Sequence, residues 1–245
     1  NAVMSTMSLW FPDKQGLISG ILLMGFGLSS FIIGKVFAAV TPSDGTDKWQ
    51  ATFRVLGIII VIVMVICSFF FVNTGKMATM PTFWFYYIWA ILVSAAGLAL
   101  VSQASGIASQ VGTTVSDGNI ATVVGLISIF NGIGRVIFGG LFDKKGYRFT
   151  MILDMIIFIV AALILVLALV SGNFAFIVIG FVVGGLAYGG VTPTNSAIIS
   201  DFFGRENYSM NFSLINTNLL IASFASTIAG KLYDASGSFM TTIFM

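Results

Sequence analysis

An all-α membrane protein is the fold class this sequence predicts, and three observations predict it. Hydrophobic side chains make up 58% of the 245 residues and charged ones only 8%, whereas soluble domains carry about a quarter charged. The mean hydropathy is +1.03. Long apolar runs recur between short polar turns, each about the 20 residues needed to cross a hydrocarbon core. The net charge of +2, with no basic cluster interleaved with aromatics, argues against nucleic acid and leaves the lipid bilayer as the expected partner. There is no histidine, and the one cysteine, Cys67, lies inside the apolar run 58–72. That removes zinc sites, disulfides and Cys/His or Ser/His nucleophile pairs, so neither an enzyme nor a cofactor is expected.

The elements follow in order. Ala2–Trp10 reads as the tail of a helix, and Pro12 in the turn 11–16 cannot continue it. Leu17–Val40 is the first full span, with Gly20, Gly25, Gly27 and Gly34 allowing a neighbouring helix to approach closely. Thr41–Gln50 is a polar loop. Phe53–Val72 is apolar all round and too long for a strand. After the link Asn73–Pro81 comes the span Phe83–Ser109, with Trp84, Tyr86, Tyr87 and Trp89 placed for the headgroup region. Val111–Asn119 is a loop, followed by spans over Ile120–Phe142 and Phe149–Val170. Phe174–Ile199 combines Gly184, Gly185, Gly189 and Gly190 with Pro193, which predicts a bent or loosened helix. Ser209–Tyr233 is the last full span, and Asp234–Phe239 the last loop. The total is seven complete spans flanked by two partial ones, with lysine and arginine concentrated in the turns on one side, the cytoplasmic one. The chain opens at Asn1 and stops within a new apolar run, Met240–Met245, so an internal piece of a longer protein is expected.

Function centres on 131–148, NGIGRVIFGGLFDKKGYR. Arg135 lies inside an apolar helix, where an ionisable residue costs roughly 2.5–3.5 kcal/mol on insertion scales and marks a candidate site. Two readings stay open: contact with a substrate, or snorkelling to the surface or pairing with Asp143. Asn131, at i−4, shares its face. Asp154 is read either as a carboxylate one turn into its helix, favoured by the helix dipole, or as a proton-coupling group. Tyr188, Thr192 and Asn195 recur at i, i+4, i+7 as a polar wall, and Asn216 is a further cavity candidate ahead of Asn218. The helix ends Gly34-Lys35-Val36-Phe37 and Gly230-Lys231-Leu232-Tyr233 echo one another, as parallel repeats of a carrier do.

The turn formed by Gly139, Asp143, Lys144, Gly146 and Arg148 resembles the G-x-x-x-D-R/K-x-G-R/K-R/K motif of the major facilitator superfamily, with Tyr147 replacing one basic residue. Trp10–Gly20, Gly25–Leu28 and the turn Asp201–Gly204 narrow the resemblance to the oxalate:formate antiporter group. The resemblance implies a major-facilitator-type helical bundle cut from the end of helix 4 to the start of helix 12. Residues 1–72 would be the rest of the N-terminal half, 73–81 a cytoplasmic linker and 82–245 the C-terminal half. It implies a monomeric secondary carrier in the plasma membrane, working by alternating access, with the basic turn as a latch. Asp143 would sit at the start of a helix from the other half, near Gly16. It also implies that Arg135 binds substrate carboxylate, while the position of a second cation falls on Leu219. Phe26, Thr192 and Asn216 replace cage aromatics, and Tyr188 keeps one. One charge instead of two favours a monocarboxylate such as formate or lactate over oxalate. An unrelated solute, or a non-transporting sensor of the same fold, is the alternative.

Overall fold

The computed structural model describes residues 13–14, 16–24 and 77–244. Phe26, Cys67, the span Phe53–Val72 and the first copy of the Gly-Lys echo lie outside these residues. Among the described residues every regular element is a helix. The first, α1, covers 16–24. A short turn of 3-10 helix at Met77–Thr79 leads into α2, Pro81–Val111, where Pro81 opens the helix at a position whose amide has no intrahelical acceptor. Its buried face repeats at three and four residues through Phe83, Tyr86, Tyr87, Ala90, Val93 and Gly97. Tyr86 and Tyr87 therefore point inward, and of the aromatics assigned to the headgroup region only Trp84 is exposed.

The helix α3, Asp117–Ser171, has 55 residues, about 80 Å if straight, against a hydrocarbon core of roughly 30 Å. It is two spans joined at Gly146, the one residue with non-helical dihedrals (φ 77°, ψ 175°). Ile120 and Ile127 from its start share a core cluster with Leu165 and Ala168 from its end, so the halves fold back on each other. The expected turn 143–148 is thus compressed to a single glycine conformation. The second half turns Ile152, Ile156, Ile159, Leu163, Leu167 and Val170 outward at helical spacing, a face suited to lipid. Gly172 in the left-handed region closes α3, and the Asn173 side chain accepts from the Ala175 amide at 2.9 Å to start α4, Phe174–Phe203.

Two sequence expectations need correction. The helix α4 runs unbroken past Pro193 to Phe203 instead of loosening there. Residues 193–200 are all buried, and that packing offsets one missing backbone hydrogen bond. The last span is in three pieces: α5 (Tyr208–Asn216), α6 (Asn218–Ala222) and α7 (Phe224–Ser236). Thr217 and Ser223 keep right-handed helical dihedrals, but amides nearby switch to i−3 carbonyls, as in Thr217 N to Leu214 O at 3.1 Å. Their hydroxyls also bond back, Thr217 Oγ1 to Leu214 O at 2.7 Å, which competes with the regular ladder. Gly237 and Ser238 then turn the chain into α8, Phe239–Ile243. By length and composition, α2, α3, α4 and the run 208–236 can cross a membrane, making this a multi-pass membrane protein.

Close helix contacts are made by glycine. A methyl on Gly189 would come within 2.9 Å of Arg135 N and of Gly134 Cα, and one on Gly185 within 2.6 Å of Ile127 O. Gly185 and Gly189 of α4 therefore form a surface on which the first half of α3 rests.

Candidate functional site

Arg135 sits about 16 Å from the Gly146 end of its helix half, farther in than the sequence boundary at Phe142 implied. It is half-buried. Its Nε donates to Asn131 Oδ1 at 3.1 Å, one turn earlier, and a terminal nitrogen donates to the Leu23 carbonyl of α1. The guanidinium thus reaches across to another helix instead of snorkelling, and Asn131 fixes its direction. Both of these partners are neutral. Arg135 also interacts electrostatically with Tyr188 of α4, whose ring lies over Gly97 of α2, where any side chain would collide with it.

Asp143 does something different from pairing with Arg135. Its two carboxylate oxygens accept from the amides of Gly16 at 2.9 Å and Leu17 at 2.8 Å. It caps the first turn of α1, whose amides have no intrahelical acceptors and whose partial positive charge favours an anion. Backbone contact makes this possible: methyl groups at Gly16 or Gly139 would strike the other's carbonyl group. Further in, Gly20 rests on the Arg135 carbonyl, and Gly132 on Met24. Lys144, Lys145 and Arg148 are exposed. Arg148 Nε donates to Tyr147 Oη at 3.0 Å, and the Tyr147 ring meets Phe202 edge-on at 4.9 Å.

The other sequence candidates divide. Asn195 is buried and accepts from the Tyr86 hydroxyl, and Tyr86 in turn stacks on Trp89. Thr192 and Asn216 are half-buried. Asn218, ranked below Asn216 from sequence, is fully buried with neither amide atom of its side chain hydrogen-bonded among the described residues, while Leu219 points outward. Asp154 is not one turn into its helix. It lies about 12 Å past Gly146, 1% exposed, with neither oxygen hydrogen-bonded among the described residues.

Sequence reasoning missed two groups. Ser19 of α1 bonds Ser196 of α4 at 2.7 Å, and Ser196 bonds the Tyr208 hydroxyl of α5 at 2.6 Å, a buried chain of hydroxyls joining three helices. Tyr87 reaches Thr217 at 2.6 Å. The signal for the tyrosines was the 83, 86, 87, 90 spacing, whereas nothing in the sequence marks the serines. Two apolar cavities of about 260 Å³ lie elsewhere: one is lined by Ala99, Phe158 and Thr242 among others, one by Phe85, Tyr147 and Phe202. Neither is lined by Arg135.

Comparison with known proteins adds the following. The family model described as Major Facilitator Superfamily matches residues 1–227. The chain is 28% identical over 228 residues to the oxalate:formate antiporter of Oxalobacter formigenes, covering 84% of this chain and 53% of that protein. It is 25% identical over 234 residues to the uncharacterized MFS-type transporter YhjX of Escherichia coli, covering 87% and 56%. A 38 kDa uncharacterized protein of Thermoproteus tenax is 22% identical over 244 residues, covering 96% and 60%. The chain thus spans a little over half the length of these relatives.

Proposed function

The chain belongs to the major facilitator superfamily, and on that premise we propose that it is the larger part of a secondary carrier for a small organic anion. The observation that carries this reading is Arg135, a guanidinium inside an apolar span, directed by Asn131 and the Leu23 carbonyl where α1 meets α3. A guanidinium stays charged and its planar fork matches a carboxylate in two parallel hydrogen bonds. A carboxylate arriving there competes with the Leu23 carbonyl for the same donors. Tyr188, Asn131, Thr192, Asn195 and Asn216, with Phe26 outside the described residues, complete the proposed cavity wall. Arg135 is the cation at this wall among the described residues, so the reading favours a monocarboxylate such as formate or lactate over the dianion oxalate. Likeness to the oxalate:formate antiporter supports the anion class.

In this reading 1–72 belong to the N-terminal half, 73–81 to the linker and 82–245 to the C-terminal half. The Asp143 cap on α1 then bridges the halves and closes the cytoplasmic side, with Gly139 giving close approach and Gly146 the turn. Alternating access follows when that cap and the hydroxyl chain release. The test is uptake by the full-length protein in liposomes with labelled formate, lactate and oxalate. Saturable uptake of a monocarboxylate is expected, with Arg135→Gln lowering kcat/KM at least about a hundredfold, as the loss of a charged hydrogen-bonding pair implies. Uptake that survives this change removes Arg135 from the site.

A further inference from the structure

Gly97 is buried in the interior of α2, where glycine is a poorer helix former than alanine, so its presence calls for a reason. The reason is the ring of Tyr188 on α4. A methyl at Gly97 would lie 2.5 Å from Tyr188 Cγ and 2.6 Å from Cε2, and closer still to Cδ2. Cγ does not move when the ring spins about its bond to Cβ, so spinning leaves the overlap in place. The helices are also kept from parting. Tyr86 of α2 donates to Asn195 of α4, and a methyl at Gly184 of α4 would lie 2.5 Å from Leu100 Cδ2 of α2. These contacts pin α2 to α4 on both sides of the Gly97–Tyr188 level. Behind them α4 is pinned to α3, because a methyl at Gly189 would lie 2.9 Å from Arg135 N and closer still to the Asn131 carbonyl. The overlap is therefore relieved by turning the whole tyrosine side chain about its Cα–Cβ bond. A helix gives an aromatic residue two common wells for that rotation, so the ring changes wells.

Tyr188 is the side chain through which this matters. It interacts electrostatically with Arg135, and among the described residues both are half-buried. We propose that Gly97 is a specificity-determining position: the notch it leaves in α2 holds the Tyr188 ring back, and so sets the size of the carboxylate admitted beside Arg135. This rests on the anion-carrier reading. Gly97 touches no substrate in this scheme; it is a positioning residue that acts through the ring. With the notch filled, the ring turns off α2 toward its uncovered side and narrows the space for an anion. With the ring removed, that space widens. Formate, a single carbon, is little affected by the narrowing, whereas lactate, with two further carbons and a hydroxyl, is strongly affected. A change of one methylene in a fitted apolar site discriminates by about 10- to 200-fold.

The experiment measures kcat/KM for labelled formate and lactate with the full-length protein in liposomes, alongside its melting temperature. Gly97→Ala is expected to lower the lactate-to-formate ratio at least about tenfold, and Tyr188→Leu to raise it at least about fivefold. The double variant should match Tyr188→Leu alone, because no ring is left to displace, whereas two unrelated packing defects would multiply. Should Gly97→Ala fail to fold, Tyr188→Leu and the double variant carry the test, since neither contains the clash. A folded Gly97→Ala variant with the wild-type ratio, an equal loss for both anions, or a Tyr188→Leu variant with the wild-type ratio overturns the proposal and leaves the carrier reading intact. No saturable uptake of either anion by wild type removes the carrier reading and this proposal with it.

Discussion

Replacing Asp143 by alanine isolates the contact that holds α1 against α3. The substitution deletes both hydrogen bonds to the α1 amides, at 2.9 Å from Gly16 and 2.8 Å from Leu17. Loss of a capping side chain costs about 0.5–2 kcal/mol. Loss of the anion from the helix N-terminus adds about 0.3–1 kcal/mol, toward the low end because the carboxylate is exposed and screened. The sum, roughly 1–2 kcal/mol, applies to the arrangement in which the helices touch. It therefore moves the closed-to-open ratio about five- to thirtyfold. Asparagine keeps one acceptor and loses the charge, so Asp143→Asn should move the ratio only about two- to fivefold by the same arithmetic. Spin labels at the exposed positions Asp13 and Lys145 of the full-length protein report the separation by double electron–electron resonance. The expected result is a long-distance population growing from wild type through asparagine to alanine. Unchanged distance distributions in both variants, or a lower melting temperature with no change in distance, would refute the latch reasoning.

Two further outcomes follow from the geometry. Gly146→Ala should destabilise the protein by about 1–3 kcal/mol, because φ 77° and ψ 175° are strained for any residue with a Cβ. No atom lies within 4 Å of the position a Cβ would take, so the cost is backbone strain alone, and the thermal shift for Gly146→Ser should match that for alanine. Tyr208→Phe removes the hydroxyl at the end of the Ser19–Ser196–Tyr208 chain, which is expected to cost about 0.5–1.5 kcal/mol by thermal unfolding. An additional Ser196→Ala change should then cost less than it does in wild type, since the partners share one network.

Much of the fold was legible because membrane helices declare themselves by length and polarity. The span bearing Arg135, the reversal at Ser171–Asn173 and the charged turn at 201–207 lie where the apolar runs end. Periodicity was less well used. Tyr86 and Tyr87 were read as headgroup aromatics from their place near a helix start, yet their spacing with Phe83 and Ala90 puts them on the buried face. The hydrogen-bond breaks at Thr217 and Ser223 left no mark in hydropathy, because hydroxyls that bond back to the helix are a local competition within an apolar run. For the candidate site, the i, i+4 relation of Asn131 and Arg135 could be read from spacing alone. The preference for Asn216 over Asn218 could not, because it depends on which side of α6 faces α2.

By itself the sequence determined that this chain lives in a bilayer, roughly where its long spans end, and that Arg135 sits within an apolar helix. Those follow from composition and from the geometry of a single helix. Which groups compensate each charge was decided only when helices distant in the chain were brought together. Asp143 found the amides of Gly16 and Leu17, 127 and 126 residues away, and Arg135 found a carbonyl 112 residues away. Asp154 lies against the bare Gly190, with no hydrogen-bond partner among the described residues. The reason is physical: desolvation is paid by a residue wherever its own helix lies, but hydrogen bonds that offset it come from neighbours that only packing selects.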